Sequence, residues 1–380
     1  MDAQIGVVGL GAAGSMALWR IAAGGGDVLG FEQFAPGHAR GSSHGQSRLF
    51  RLATSEGAHY AAMARRAREL WMELERISGD RILLTTGGLS IGQADSELLT
   101  SVRRVADELD LPLEQLDADQ LARRFPQHHY RPGDVALLDP NTGVLLSERA
   151  ITAATAAATA AGGRVYADTP VLEIVPGDDS VTIVTAERTF EVRTAVVAAG
   201  AWQGRLLPSL QEHFTVRRAI LTWFEPRAQY RAAFDPETFP VFTHDVGAAT
   251  GWGAARIDST GVKVGMQDNE GYRIDDPAAN ASVVAPAEMA AVTDYVAEYV
   301  PTLEPRVVRS RGCMITMTPD SGFVIGRLPD HPNVIVLSAC SGHGFKHAAA
   351  VGDIGADLAL TGTTSTDLSP FAPDRFAAVG

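Results

Sequence analysis

The chain has 380 residues, 46% of them hydrophobic and 20% charged, with a formal net charge of −13. That length exceeds one simple core and points to two domains of a soluble, globular protein. The acidic balance excludes a nucleic-acid surface, which needs clustered Lys and Arg, and argues against an anionic membrane partner. It still allows an anionic small molecule in a local cationic pocket. No apolar run reaches the length of a membrane span. The cysteines, Cys313 and Cys340, are too few for a disulfide framework, and no basic segment with a cleavage site precedes the first strand. Both features predict a cytoplasmic location.

Ile5–Val8 reads as a buried strand, and Gly9, Gly11 and Gly14 then give G-x-G-x-x-G ahead of a helix over Ser15–Ala23. Gly9 makes the tight turn, Gly11 lets backbone approach a pyrophosphate, and Gly14 lets helix pack on strand. The helix N-terminus offers free N–H groups to the phosphates. A second strand, Asp27–Phe31, ends at Glu32, placed to accept a ribose hydroxyl. A glycine- and serine-rich loop from Pro36 to Arg48 follows, of the length that is usually functional.

A helix is expected over Ala58–Arg76, with Tyr60, Ala64, Ala67, Leu70, Trp71 and Leu74 on a core-facing side. Short strands follow at Ile82–Thr86, Leu89–Gly92 and Val135–Leu138, with a capping box at Asp117–Gln120. Ser147 is expected to cap an alanine-rich helix ending at Gly162 and Gly163. Strands are expected at Arg164–Ala167, Val171–Val175, Val181–Thr185 and Thr189–Arg193. The apolar run from Ala195 to Gly200 reads as one more, parallel to the first. Residues 216–304 carry strands around Val216–Phe224, Val241–His244 and Val262–Met266 and a helix at 286–299. An arginine-rich strand precedes Cys313-Met314. Strands Phe323–Gly326 and Val334–Leu337 come next, the second carrying on to a Cys340 read as a plain core residue. Ser341-Gly342-His343-Gly344-Phe345-Lys346 then opens a final helix and makes an anion-favouring turn.

The opening fingerprint, Gly41-Ser-Ser-His-Gly-Gln-Ser-Arg48-x-x-Arg51, Gly143-Val-Leu-Leu-Ser-Glu148, Gly200-Ala-Trp202, Cys313-Met314 and Ser341-Gly-His-Gly-Phe-Lys346 stand in one order. In that order they resemble the monomeric sarcosine oxidase and N-methyltryptophan oxidase family, over essentially the whole chain. The resemblance implies an α/β (α+β overall) fold of the D-amino-acid-oxidase type, also called glutathione-reductase-2-like. A Rossmann-type FAD-binding domain would comprise residues 1–80, 140–215 and 305–380. A second, substrate-binding domain on a large mixed or antiparallel sheet would comprise 81–139 and 216–304.

It also implies roles for residues. Gly9, Gly11, Gly14 and Glu32 would bind the ADP half of FAD. Ser42, His44, Arg48 and Arg51 would lie beside the isoalloxazine. Val171, Gly200, Trp202, Met314, Gly342 and Gly344 would also touch the cofactor. Cys313 would link covalently to the flavin 8α-methyl. Arg51 and Lys346 would clamp the substrate carboxylate, and Lys346 would also lie against the flavin. Lys263 would promote the reaction with oxygen, with His44 and Arg48 as further catalytic groups. Two positions depart from the family: Gln267 stands for an active-site histidine and Trp252 for a pocket tyrosine.

A guanidinium fork suits a carboxylate and an ammonium adds a compact charge, while the electron chemistry belongs to the cofactor. The expected reaction takes a small N-substituted amino acid to an imine, with oxygen reduced to hydrogen peroxide. The expected partners are an amino acid and O2, acting on a monomer, with no metal. The alternatives are an oxidase of glycated or cyclic amino acids and a non-catalytic FAD-binding redox subunit.

Overall fold

The strand Ala3–Val8 is apolar almost throughout, the composition of a strand covered on both faces. It lies parallel to Val28–Phe31 on one side and to Thr189–Val197 on the other. The computed structural model describes residues 1–53, 56–267 and 272–378. Its first sheet runs in the order 171–176, 181–185, 189–197, 3–8, 28–31, 164–166. Strand Val334–Ser338 joins beside the end of Thr189–Val197 and carries Val324–Arg327 on its far edge.

One correction concerns Thr189–Val197. It is a single strand of nine residues, not two. Its first half alternates exposed and buried residues against the antiparallel Val181–Thr185, and its second half is buried throughout. A strand that leaves a one-sided edge layer and enters a covered parallel layer shows two patterns in sequence.

Helices Ala12–Ala23, Ser147–Ala160, Ala348–Thr361 and Ala58–Ser78 cover one face of this sheet in one core. The last of these buries Tyr60, Ala64, Ala67, Leu70, Trp71 and Leu74, the face read from the sequence. Each large side chain there contributes about 1.5–3 kcal/mol of burial. Trp71 also positions the site: its ring stacks on Phe345 and its Nε1–H donates to Lys346 O at 3.2 Å. The capping box at Asp117 is present. Ser147, by contrast, is no cap. The helix begins at Ser147 itself, and the Ser147 hydroxyl donates to Glu148 Oε2 at 2.8 Å.

The second sheet has the order 303–317, 215–226, 262–267, 250–254, 241–245, 88–93, 134–139, 114–116. Leu303–Met317 runs through Cys313 rather than ending before it, and it carries residues 305–317 into this sheet, past the boundary expected at 304. The strand Thr250–Ala254 was not expected at all; its two glycines hide it from propensity. A small third sheet pairs Arg48–Phe50 and Leu83–Thr85 with Gly143–Leu145, and so fixes the end of the glycine-rich loop. The helix expected at 286–299 opens as a 3-10 turn, Pro286–Met289, before Ala290–Tyr299.

Candidate active site

A cavity of 1210 Å³ runs from the first glycine turn to the second sheet. That exceeds the space a drug-sized ligand needs and suits a dinucleotide with a small molecule beside it. At one end the helix Ala12–Ala23 presents its N-terminus. A Cβ on Gly14 would lie 1.8 Å from Gly9 O, so only glycine allows this helix its approach to the turn. Glu32 lies in the cavity wall and is 4% exposed. Its oxygens accept the N–H groups of Leu10 at 2.9 Å and Phe34 at 3.1 Å. An ionised carboxylate has about four lone-pair sites, so acceptor capacity remains for a ribose hydroxyl.

Gly11, Val171, Gly200, Trp202, Gly342 and Gly344 line the same cavity. So do Ser42, Arg48 and Met314, and Cys340 lines it as well, in a turn beyond Val334–Ser338 rather than in the strand. Among the described residues no group bonds Ser42 Oγ, which is buried. The glycine turn, the helix N-terminus, Glu32 and this orphan hydroxyl fit an FAD-sized ligand.

The second sheet turns one face toward this space. Register sets Ala219 opposite Cys313, Trp223 opposite Lys263 and Trp252 opposite Gly265. Directly opposed residues share a face. Leu221, Trp223 and Cys313 cluster there with Ala219 and Trp252. The Trp252 indole lies across Gly265, where a Cβ would come within 2.3 Å of the ring. Gln267 reaches the rim of the cavity at the exposed end of its strand.

The loop from Gly41 meets this face. Arg48 donates to Ser42 O at 2.7 Å and Ser47 O at 2.8 Å, and its Nη2 lies 4.0 Å from Cys313 Sγ. His44 is buried behind the loop, where desolvation and then Arg48 lower its pKa to about 4. It is therefore neutral at pH 7. Lys263 is 2% exposed and sits behind the cavity wall. Its Nζ donates to Gly45 O and Ser47 O, each at 2.9 Å, and lies 5.4 Å from the Trp223 ring and 5.8 Å from that of Trp252. Burial pulls its pKa well below the ordinary lysine value.

Arg51 and Lys346 meet in the same cavity, although 295 positions separate a strand end from a helix start. A carboxylate from this chain stands between them. Glu56 Oε1 accepts from Lys346 Nζ at 2.7 Å and lies 3.8 Å from Arg51 Nη2. Burial raises the Glu56 pKa, and Lys346 and Arg51 more than reverse this, holding it well below the usual carboxylate range. Burial lowers the Lys346 pKa against the opposing pull of Glu56. Among the described residues Arg51 Nε and Nη1 are buried without a partner, so the fork keeps free donors.

Sequence reasoning missed Glu56, which sits in an unremarkable loop. Glu148 stands in the Gly143–Glu148 motif, which by itself assigns it no role. One signal was available: Lys263 and Lys346 are the only lysines among 32 Lys and Arg residues. No cluster of His, Cys, Asp or Glu among the described residues could hold a metal. Among the described residues no helix is long and apolar enough to cross a membrane.

The glycine turn, the cations Arg51 and Lys346 and one face of the second sheet thus line a single cavity. A family model described as FAD dependent oxidoreductase matches residues 4–358, and the chain belongs to that family. It is 36% identical over 374 residues to the monomeric sarcosine oxidase of Streptomyces avermitilis, covering 98% of this chain and 97% of that one. It is 33% identical over 377 residues to the N-methyl-L-tryptophan oxidase of Salmonella agona, covering 98% of each. Its fold is shared with NikD, an unusual amino acid oxidase essential for nikkomycin biosynthesis, in the open form. The TM-score is 0.85 at 24% identity, over 98% of this chain and 97% of that one.

Proposed function

We propose that the protein oxidises small secondary amino acids with FAD as acceptor and O2 as final oxidant. The observation that carries this reading is the half-buried Arg51 beside the buried Lys346 in a dinucleotide-sized cavity, with a carboxylate, that of Glu56, resting against both. Full-length similarity to oxidases of two N-methyl amino acids supports the same class.

Gly9, Gly11, Gly14 and Glu32 would hold the ADP half. Ser42, Arg48, Val171, Gly200, Trp202, Met314, Gly342 and Gly344 would line the flavin half, with His44 buried behind them rather than in the lining. Cys313 would carry a thioether to the flavin 8α carbon. FAD, when bound, supplies a two-electron acceptor and returns those electrons to O2 as hydrogen peroxide. Arg51 takes the substrate carboxylate in its fork, and Lys346 adds a compact charge once Glu56 turns aside. Trp252, flat over Gly265, bounds the pocket on the sheet side. The substrate amine would lose two electrons and two protons to become an imine, and water would split the imine to an aldehyde and an amine. Lys263 holds a fixed cation where negative charge develops on oxygen. The first sheet is the FAD-binding domain in this reading and the second the substrate-binding domain. The chain acts as a monomer, in a reducing cytoplasm that suits two free cysteines.

Gln267 and Trp252 move the preferred substrate away from sarcosine, because an amide cannot titrate as imidazole does and an indole reshapes the pocket. The test is hydrogen peroxide release across N-methyl, cyclic and fructosyl amino acids and their decarboxylated amines. We expect turnover of the carboxylates, with a larger or differently substituted secondary amino acid outperforming sarcosine. Equal turnover of an amino acid and its decarboxylated amine sinks the clamp. No turnover of any amine leaves a non-catalytic redox subunit. For the thioether, acid-precipitated native protein should stay yellow and Cys313→Ala should not; a colourless native pellet refutes the link.

A further inference from the structure

The turn Gly45-Gln46-Ser47 is held from both sides. Two successive residues have positive φ, 95° at Gly45 and 70° at Gln46, so its N–H and C=O groups point to opposite flanks. On one flank the Glu148 carboxylate, from the helix Ser147–Ala160, accepts Gly45 N–H at 2.7 Å and Gln46 N–H at 2.9 Å. On the other flank Lys263, from the second sheet, donates to Gly45 O and Ser47 O. An acid and a base from two different sheets' layers thus grip one stretch of backbone. Polarised peptide groups between them strengthen each other in a dry interior.

We propose that Glu148 is the counter-ion of Lys263, acting through this turn, and so a positioning residue that keeps the proton on the buried ammonium. The groups facing Lys263 leave few other candidates. Arg48 from the short third-sheet strand and Arg309 from Leu303–Met317 disfavour its charge, and His44 is neutral at pH 7. The Trp223 and Trp252 rings attract it only weakly. Besides Glu148, the Cys313 thiol is the group that favours its charge. A thioether at Cys313 cannot ionise, so attachment of the flavin leaves Glu148 in that role. Glu148 is well suited to stay ionised. Burial opposes its charge, but the N–H groups of Gln46 and Gly45 and the Ser147 hydroxyl bring its pKa below the ordinary value. Unlike a direct ion pair, this arrangement keeps the ammonium charged without placing an anion where oxygen must gain one. That consequence rests on the oxygen role proposed for Lys263.

The sequence provides a clean readout, since [13Cε]lysine labelling of the holoenzyme gives signals from Lys263 and Lys346 alone. Lys346→Arg assigns them. In Glu148→Gln the Lys263 titration midpoint should fall by on the order of one pH unit, with that of Lys346 unmoved. Glu148→Ala is the second neutral variant and places no amide N–H against the turn's donors. Glu148→Asp keeps the charge and should return the midpoint toward the native one. The pH profile of flavin re-oxidation should shift down with the Lys263 midpoint, while anaerobic reduction by substrate is unchanged within about twofold. An unmoved midpoint in the neutral variants overturns the proposal, as does an equal fall in Glu148→Asp, which would make the effect geometric. A midpoint that falls while the re-oxidation profile stays put supports the counter-ion and instead refutes the oxygen role of Lys263.

Discussion

The two buried lysines are held in different ways. Lys346 faces a carboxylate directly, with Glu56 at 2.7 Å. Lys263 faces neutral carbonyls and indole rings, with its nearest favourable acid one turn of backbone away. Both are almost fully buried, so each carries a large desolvation cost that some partner must offset. A direct ion pair offsets that cost most fully but occupies the place where an anionic ligand binds. An indirect one puts no anion in contact with the ammonium. The difference fits the tasks proposed for them: Lys346 exchanges one carboxylate for another, and Lys263 meets an anion that exists only during the reaction.

The sharpest way to break this comparison is to remove Lys346. Lys346→Met leaves Glu56 and the substrate carboxylate facing Arg51 alone. Loss of one partner of a buried pair costs about 2–5 kcal/mol, or roughly thirtyfold to several-thousandfold in kcat/KM for every carboxylate substrate. Steady-state kinetics with an amino acid and its decarboxylated amine measure this. An equal loss on both would place Lys346 outside carboxylate binding.

Lys263→Met comes next. Loss of a preorganised electrostatic group costs roughly 10²–10³ in rate, here in flavin re-oxidation, with much less effect on anaerobic reduction. The two carbonyls of the turn also lose their donor, so flavin retention should fall as well. Stopped-flow of each half-reaction decides the matter; slow reduction with native re-oxidation would reverse the roles assigned to the two lysines.

Glu56→Gln gives the smallest effect and the opposite sign. An amide competes poorly for Arg51 and Lys346, so substrate KM should fall about tenfold, the scale of one charged hydrogen bond. A KM that rises would make Glu56 a partner of the substrate and not its competitor. The same variant tests the pH dependence of stability. The Glu56 pKa is depressed in the folded state, so the unfolded chain binds more protons at acid pH. Its contribution is fully present above the unfolded value of about 4.3 and is lost as pH falls through the folded one. Thermal melting of the native protein should therefore drop more steeply on acidification than that of Glu56→Gln; parallel curves would contradict the ion pair.

The sequence by itself determined the dinucleotide end. Gly9, Gly11, Gly14 and Glu32 are close in the chain, and the turn needs backbone freedom and one acid at a set spacing, which are local properties. It also determined the elements with a clean period, such as the buried face of Ala58–Ser78. That Arg51, Lys263, Cys313 and Lys346 belong together was expected only through resemblance, because they lie on separate elements and no spacing connects them. Tertiary structure alone decided three things: that Thr189–Val197 is one strand, that Glu56 sits between Arg51 and Lys346, and that Glu148 and Lys263 grip one turn. The reason is physical. Whether a charge is solvated or buried against a partner depends on what packs over it, and a one-dimensional pattern shows the charge without the neighbours that give it a task.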